Sequence, residues 1–371
     1  MLDNIIILFE APLLTLDMVI NGLLIGAIFA LMAYGLALVW GVMNVKNLAQ
    51  GDFVILGAYV TWWLYQAGIS PFFGIVASAA VLWLLAGGLY MFDFARLVKP
   101  LTGKTGNAIP LLVLMVAGGL LAMAVSGPGK HSVTPVVPDS FFIGILVVLL
   151  AVFVIFGGIY GFVVRHVIER DLFTSLLATF GVAIVMEQSM NLIFGADEQT
   201  VSLDLDSFSF LNNMVTIQPV RLIAFVAALL LAVVVITFMK RSRMGQAIRA
   251  TAQNARAARV MGIDTEKVYA FTFALNAAIC GAAGALVALI WEFQPFIGLI
   301  FSIRSFVIVT AAGLGNLPAV IAAGLGMGVL EQTGAFIFGT QFQQAIVVGM
   351  LIVVLVVKLF FASRRRQVID Q

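Results

Sequence analysis

Along most of this chain, polar positions only interrupt long apolar runs. The runs cover residues 18–42, 53–68, 70–92, 109–125, 141–164, 174–194, 221–239, 269–291, 318–338 and 343–361. Several reach the length, about 20 residues, at which an α-helix crosses about 30 Å of hydrocarbon. The runs are continuous and do not alternate, so they are not barrel strands. Lipid tolerates only structures that satisfy every backbone group internally, so the spans are helical. One further short pass or re-entrant hairpin fits within 300–317. The pattern predicts an all-α polytopic transmembrane bundle of about 10–11 spans, short or re-entrant helices included, forming a single domain over 1–371.

Composition supports lipid as the solvent. Of 371 residues, 62% are apolar, 10% are charged and 30 are Phe, with a mean hydropathy of +1.12. A soluble domain of this length needs far more polar surface. The N-terminus carries Asp3, Glu10 and Asp17 but no basic region, which argues against a cleaved signal peptide. Cys280, beside Gly281, reads as a small packing residue and allows no internal disulfide.

The net charge of +2 says less than its distribution. With 240–268 placed in the cytoplasm and a crossing at every run, the inner side receives Lys46, Arg96, Lys99, Lys104, Arg165, Arg170, the cations of 240–268, Lys358 and Arg364 to Arg366. Only Lys130 and Arg221 fall outside, with Arg304 at membrane depth, so the whole series obeys the positive-inside rule. This puts the N-terminus outside and the C-terminus in the cytoplasm. The outer face is acidic: the N-terminal acids join Asp197, Glu198, Asp204 and Asp206 of the loop 195–219, which reads as a solvated loop and as a possible dock for a soluble partner. The other outer loop, 126–140, is rich in Gly and Pro and is expected to be irregular.

The longest inner loop, 240–268, is polar in an otherwise lipid-adapted chain. As one helix it places Met244, Ile248, Ala255 and Ala258 on a stripe, with Arg249 and Arg256 about 100° away, and Gly262 offers a stop. Such a segment suits a groove on a cytosolic protein or an interfacial position against lipid head groups. Elsewhere, Gly35, Gly41, Gly51 and Gly57, with Asn44, Asn47, Gln50 and Asp52, interrupt an apolar region. Gly313, Gly315, Asn316 and Pro318 do so in the second half. Matching broken helices mark the route of a polar solute, and close packing through small residues is the competing reading. The candidate pathway is therefore Asn44, Asn47, Gln50, Gly51, Asp52, Gly313, Gly315 and Asn316. Helix N-termini there suit an α-carboxylate, and carbonyls or Asp52 suit an ammonium group. Glu187, Glu292, Arg304 and Glu331 lie in apolar runs, where ionisable groups are costly unless paired. A structural pair is favoured over substrate contact, with Glu292 and Arg304 expected to meet across a turn.

Three ordered segments resemble one known family. RMGQAIRATAQNARAARVMGID is similar to the cytoplasmic coupling segment of permeases of high-affinity branched-chain amino acid ABC importers. GLLIGAIFALMAYGLALVWGVMNVKNLAQGDFVILGAY resembles that family's first span and the motif after it, and TAAGLGNLPAVIAAGLGMGVLE its later glycine-rich segment. The resemblance implies a permease subunit of an ATP-driven importer in a bacterial inner membrane, forming a path for branched-chain or related amino acids. It also implies cytosolic ATP-binding subunits, a second homologous permease and a periplasmic solute-binding protein as partners. The coupling contacts would be Arg249, Gln253, Asn254, Arg256, Ala258 and Gly262. ATP-Mg would sit on the partners, with no cofactor in this chain and no nucleic acid involved. The chain departs from the family at Asn47 to Gly51, where histidine and phenylalanine are common, at Gln253 and Asn254, at Ala312 and Asn316, and in an apparent inserted hairpin at 93–160. These changes touch the substrate, leaving urea, amides or small organic acids as alternatives.

Catalysis within the chain is not expected. Gly103, Lys104 and Thr105 lack the first glycine of a phosphate loop, Val98 standing in its place. His131 and His166 are the only histidines, on opposite sides in this topology, and no Cys or carboxylate cluster has metal-ligand spacing. An ion-coupled secondary transporter relaying charge through Glu187, Glu292 and Arg304 is the competing class.

Overall fold

The computed structural model describes residues 10–91, 172–203, 205–210, 215–313 and 316–369, with Asn4, Ile6 and Leu8. The hairpin expected at 93–160, the loop 126–140 and Gly315 lie outside the described residues. Every apolar run within them is helical: α1 (Pro12–Met43), α2 (Gln50–Gln66), α3 (Phe72–Met91), α4 (Leu172–Phe194), α5 (Pro219–Arg241), α8 (Thr265–Ile290), α9 (Gly298–Ala312), α10 (Leu317–Phe338) and α11 (Gln343–Ile369). Between α5 and α8 lie α6 (Arg243–Gln253) and α7 (Ala255–Val260), and before α5 a hairpin of β1 (Phe208–Phe210) and β2 (Val215–Ile217). Among the described residues, seven helices are long and apolar enough to cross a membrane.

Local chemistry sets the helix ends. Pro12 and Pro219 occupy first-turn positions, where no N–H is needed. Asn44 ends α1 in the left-handed region at φ 54°. Ser242, Asn254, Asp264 and Asn316 cap α6, α7, α8 and α10 by accepting backbone N–H bonds through their side chains.

The bundle has two distinct ends. At the hairpin end, the Thr216 N–H donates to Asp17 Oδ1 at 3.0 Å, and Gln199 pairs with Phe293 just beyond α8. At the basic end, α6 and α7 cover the end of α5 and the start of α8. The centre is built on α1 and α8, whose faces are almost wholly buried. Glycine permits the close approaches: a Cβ on Gly26 would come 2.8 Å from Leu325 Cα, and one on Gly57 2.6 Å from Gly281 Cα. Such small-residue contacts replace the hydrophobic effect as the source of helix association in lipid.

A repeated arrangement follows. In α1–α2–α3 and again in α8–α9–α10, a long helix ends in a break, a short helix starts inside the bundle, and a third helix returns. Glycines 22 and 26 of α1 meet glycines 324 and 328 of α10, and Gly281 of α8 meets Ser78 of α3, so each third helix packs on the other half's long helix. Since α1 runs from the hairpin end and α8 runs towards it, the two halves are inverted, as in many transport folds.

The loop 240–268 differs from the expected single helix. Asn254 adopts φ −158° and ψ 99°, and its side-chain oxygen accepts the Ala257 N–H at 2.9 Å, so the helix breaks and a second one starts. An asparagine side chain that competes with the helical backbone serves better as a cap than in a helix interior. The apolar stripe survives the break, with Ile248 and Ala258 buried and Met244 and Ala255 half-buried. Gly262 ends α7 at φ 84°, and the Ile263 N–H closes back on Ala258 O at 3.0 Å.

Candidate functional site

The two breaks, 44–49 and 291–297, lead into α2 and α9, whose first turns meet inside the bundle at Gly51 and Gly298. Unwound backbone at this depth must find partners for each polar group, since an unpaired one costs several kcal/mol in hydrocarbon. Two hydroxyls supply them. Thr179 Oγ1 of α4 accepts the Leu48 N–H at 3.1 Å and faces Lys46 O at 3.1 Å. Ser302 Oγ of α9 accepts the Gly51 N–H at 2.7 Å and donates to Leu48 O at 2.5 Å. Asn47 Oδ1 accepts the Ala49 N–H at 3.1 Å, closing a local turn.

At the start of α2, Gln50 is completely buried in a polar knot. Its Nε2 donates to Asn276 Oδ1 at 3.0 Å and to Met32 O at 3.1 Å and touches Cys280 Sγ at 2.9 Å, while Asn276 Nδ2 returns a bond to Gln50 Oε1 at 3.0 Å. Three helices, α1, α2 and α8, are tied at one point. Gly51 lies against the Gly298 carbonyl so closely that any side chain there would collide with it. Asp52, 0% exposed, sets its carboxyl group beside Gly298 at the N-terminus of α9, where neither oxygen has a hydrogen-bond partner among the described residues. Glu187 of α4 lies near enough to interact with it electrostatically. The group at the α9 N-terminus is thus the protein's own buried Asp52 carboxyl.

The other expected pathway residues are placed differently. Asn44 is exposed at the end of α1. Gly313 and Asn316 do not form the second break. Gly313 ends α9 in the left-handed region, and Asn316 is an exposed cap of α10. They lie about 20 Å along α9 from Gly298, at 1.5 Å per residue. The segment that meets 47–52 is instead the one around Gly298 and Ser302.

The charged residues also re-pair. Arg304 bonds to Glu331 of α10 at 2.5 Å, not to Glu292, which is exposed just past α8. The pair is buried, with side-chain exposures of 13% and 8%, and the guanidinium lies 5.0 Å from the Phe29 ring and 5.4 Å from that of Phe301. Arg304 and Glu292 are close in sequence, but α9 carries Arg304 into the bundle while Glu292 stays at its rim.

At the basic end, the residues expected to make coupling contacts divide into two groups. Ala258, Asn254 and Gly262 shape the fold of the segment, and Arg249 donates to Met239 O. Gln253 and Arg256 are exposed. The most exposed large apolar residues described are Val260 at 83% and Met261 at 81%, beside Arg256. Sequence reading missed this pair, and also Thr179, Ser302 and Asn276. Asn276 had a visible signal, since a lone amide in an apolar run is as anomalous as a charge.

Comparison with known proteins agrees with this architecture. The family described as branched-chain amino acid transport system / permease component matches residues 18–355. The high-affinity branched-chain amino acid transport system permease protein BraD of Pseudomonas aeruginosa is 25% identical over 350 residues, covering 92% of each chain. The corresponding LivH of Escherichia coli is 24% identical over 362 residues, 94% of this chain and 95% of that one. A probable branched-chain amino acid transport permease protein LivH of Methanocaldococcus jannaschii is 22% identical over 349 residues, 91% of this chain and 90% of that one. No solved structure matches.

Proposed function

The chain belongs to the family of permease components of branched-chain amino acid transport systems, a membrane-transport subunit and not an enzyme, and from that premise we propose that it is half of the pore of an ATP-driven importer. A second homologous permease completes the pore in a bacterial inner membrane, two cytosolic subunits hydrolyse ATP, and a periplasmic binding protein delivers a branched-chain or related amino acid. The hairpin end, with exposed Asp197, Glu198 and Asp206, faces the binding protein. The 240–268 segment faces the ATP-binding subunits, and the breaks around Asn47, Gln50, Gly51 and Asp52 border the moving parts of the path, with Gly313 and Asn316 at its inner end.

The observation that carries this reading is the α6–α7 projection. A lipid-adapted chain exposes Val260 and Met261 beside Arg256 on a polar segment, and an apolar anchor within a cationic rim suits an acidic-rimmed groove on a soluble protein. The test is uptake of labelled leucine, isoleucine and valine by cells carrying or lacking the gene, together with co-purification of ATP-binding subunits. Met261→Asp is expected to lose both the ATP-binding subunits and uptake while the chain stays in the membrane. Uptake by the chain alone, abolished by an uncoupler and indifferent to ATP, would assign it to the ion-coupled class instead.

A further inference from the structure

We propose that Thr179 and Ser302 are positioning residues that hold 44–49 unwound, and that Ser302 is the contact through which movement of α9 reaches that segment. Four backbone groups, Lys46 O, Leu48 N–H, Leu48 O and Gly51 N–H, lack helical partners because the helix is broken. Two side-chain oxygens lie within hydrogen-bond distance of all four, the single Thr179 proton being shared between Lys46 O and Ser175 O of its own helix. A hydroxyl gives and takes at a single atom, which an amide, carboxylate or amine of similar size does not do. The hydroxyls come from opposite sides, Thr179 from α4 and Ser302 from α9, and both are buried. The segment is therefore spanned between α4, outside the two repeated halves, and α9 of the second half.

The α9 side is the one built to transmit movement. Gly298 and Ser302, one turn apart, both touch Gly51, so α9 cannot slide without breaking the Ser302 bonds or carrying Leu48 and Gly51 with it. Ser305, on the same helix and equally buried, has a hydroxyl with no partner among the described residues, which makes it an internal control for the loss of a buried oxygen.

The experiment reads the opening of 44–49 in membranes from cells expressing the full chain. Val45 is buried, and Cys280, the chain's one cysteine, is fully buried, so Val45→Cys gives a reporter thiol for N-ethylmaleimide, read after subtracting Cys280 labelling in the same variants without it. Ser302→Ala and Thr179→Val are each expected to raise its labelling rate about tenfold, the effect of stranding a buried backbone group. Ser305→Ala and Thr179→Ser are expected to leave it at the parent rate. Hydrogen exchange at the Leu48 and Gly51 amides reports the same opening without the cysteine.

In the assembled transporter, the two disruptive variants are expected to lower maximal uptake about tenfold with little change in the half-saturating concentration of loaded binding protein. This second readout rests on the proposed transport function, whereas labelling needs neither substrate nor partners, so failure of one is separable from failure of the other. The proposal is overturned if both disruptive variants label at the parent rate, if Ser305→Ala accelerates labelling as much as they do, or if labelling rises while uptake is untouched.

Discussion

Substituting Asn276 by alanine tests whether the buried amide pair, and not generic helix packing, ties the first break to α8. The change removes both bonds of the pair and leaves Gln50 Oε1 with no donor in a fully buried setting. Each interhelical bond in a membrane contributes about 0.6–2 kcal/mol, and a stranded buried acceptor adds about 1–3 kcal/mol, so the expected loss is roughly 2–7 kcal/mol. Cys280 supplies the assay, because its sulfur lies 2.9 Å from Gln50 Nε2 and is otherwise shielded. If the thiol reacts only through local opening, every 1.4 kcal/mol is worth a factor of ten, so labelling of Asn276→Ala is expected to accelerate at least about 30-fold. Gln50→Met with Asn276→Leu strands nothing and is expected to recover most of the protection, as replacing both partners by apolar groups does. Acceleration of the single variant by less than about threefold would show that the pair contributes little and that glycine contacts alone hold α2 against α8.

Four other outcomes follow from contacts elsewhere in the chain. Gly51→Ala drives a side chain into the Gly298 backbone and is expected to abolish folded protein in detergent chromatography. Gly298→Ala comes closest to the Asp52 carboxyl, with the Asp52 backbone nitrogen next at 3.1 Å, so Asp52→Gly is expected to restore part of its yield. Arg304→Ala leaves Glu331 buried and unpaired, at a cost of about 3–5 kcal/mol, whereas a joint Arg304→Met, Glu331→Met variant is expected to unfold near the parent midpoint. At the start of α8, the side-chain hydrogen bond from Lys267 holds the exposed Asp264 carboxyl below the usual carboxylate range. Its contribution to the cap is therefore complete above the unfolded value of about 4 and fades as pH falls through the folded one. The protection factor of the Lys267 amide, taken relative to the intrinsic exchange rate at each pH, is expected to fall as pH drops through that acid range in the parent and to stay constant in Asp264→Asn.

The helices were legible because lipid demands a run of apolar residues wherever the chain crosses, and that demand is local: the runs 174–194 and 318–338 reappear almost unchanged in α4 and α10. Pairing was not legible, because it depends on contacts between distant parts of the chain. Arg304 looked nearest to Glu292, yet the fold turns it to Glu331. The glycines at 313–316 looked like the mate of Gly51, yet Gly313 serves a helix end and the actual mate, Gly298, drew no notice because one glycine after a proline and two apolar residues reads as an ordinary turn. Asn254 read as one more polar position on an amphipathic helix until its cap bond divided that helix in two.

The residues most informative about mechanism are small and uncharged for a physical reason. A buried charge in lipid is costly enough to stand out in a sequence, as Arg304 and Glu331 do. A serine or threonine can be hidden by bonding to its own helix, so a hydroxyl that supports a broken strand looks like any other until the strand is in view. Thr179 does both at once, facing Ser175 O at 2.9 Å within α4 while accepting the Leu48 N–H from the break. An inverted pair of broken helices needs such dual-purpose groups, because purely apolar contacts would leave the unwound backbone without partners. Hydroxyl bonds, each contributing about 1 kcal/mol, are strong enough to define the resting arrangement and weak enough to exchange when α9 moves.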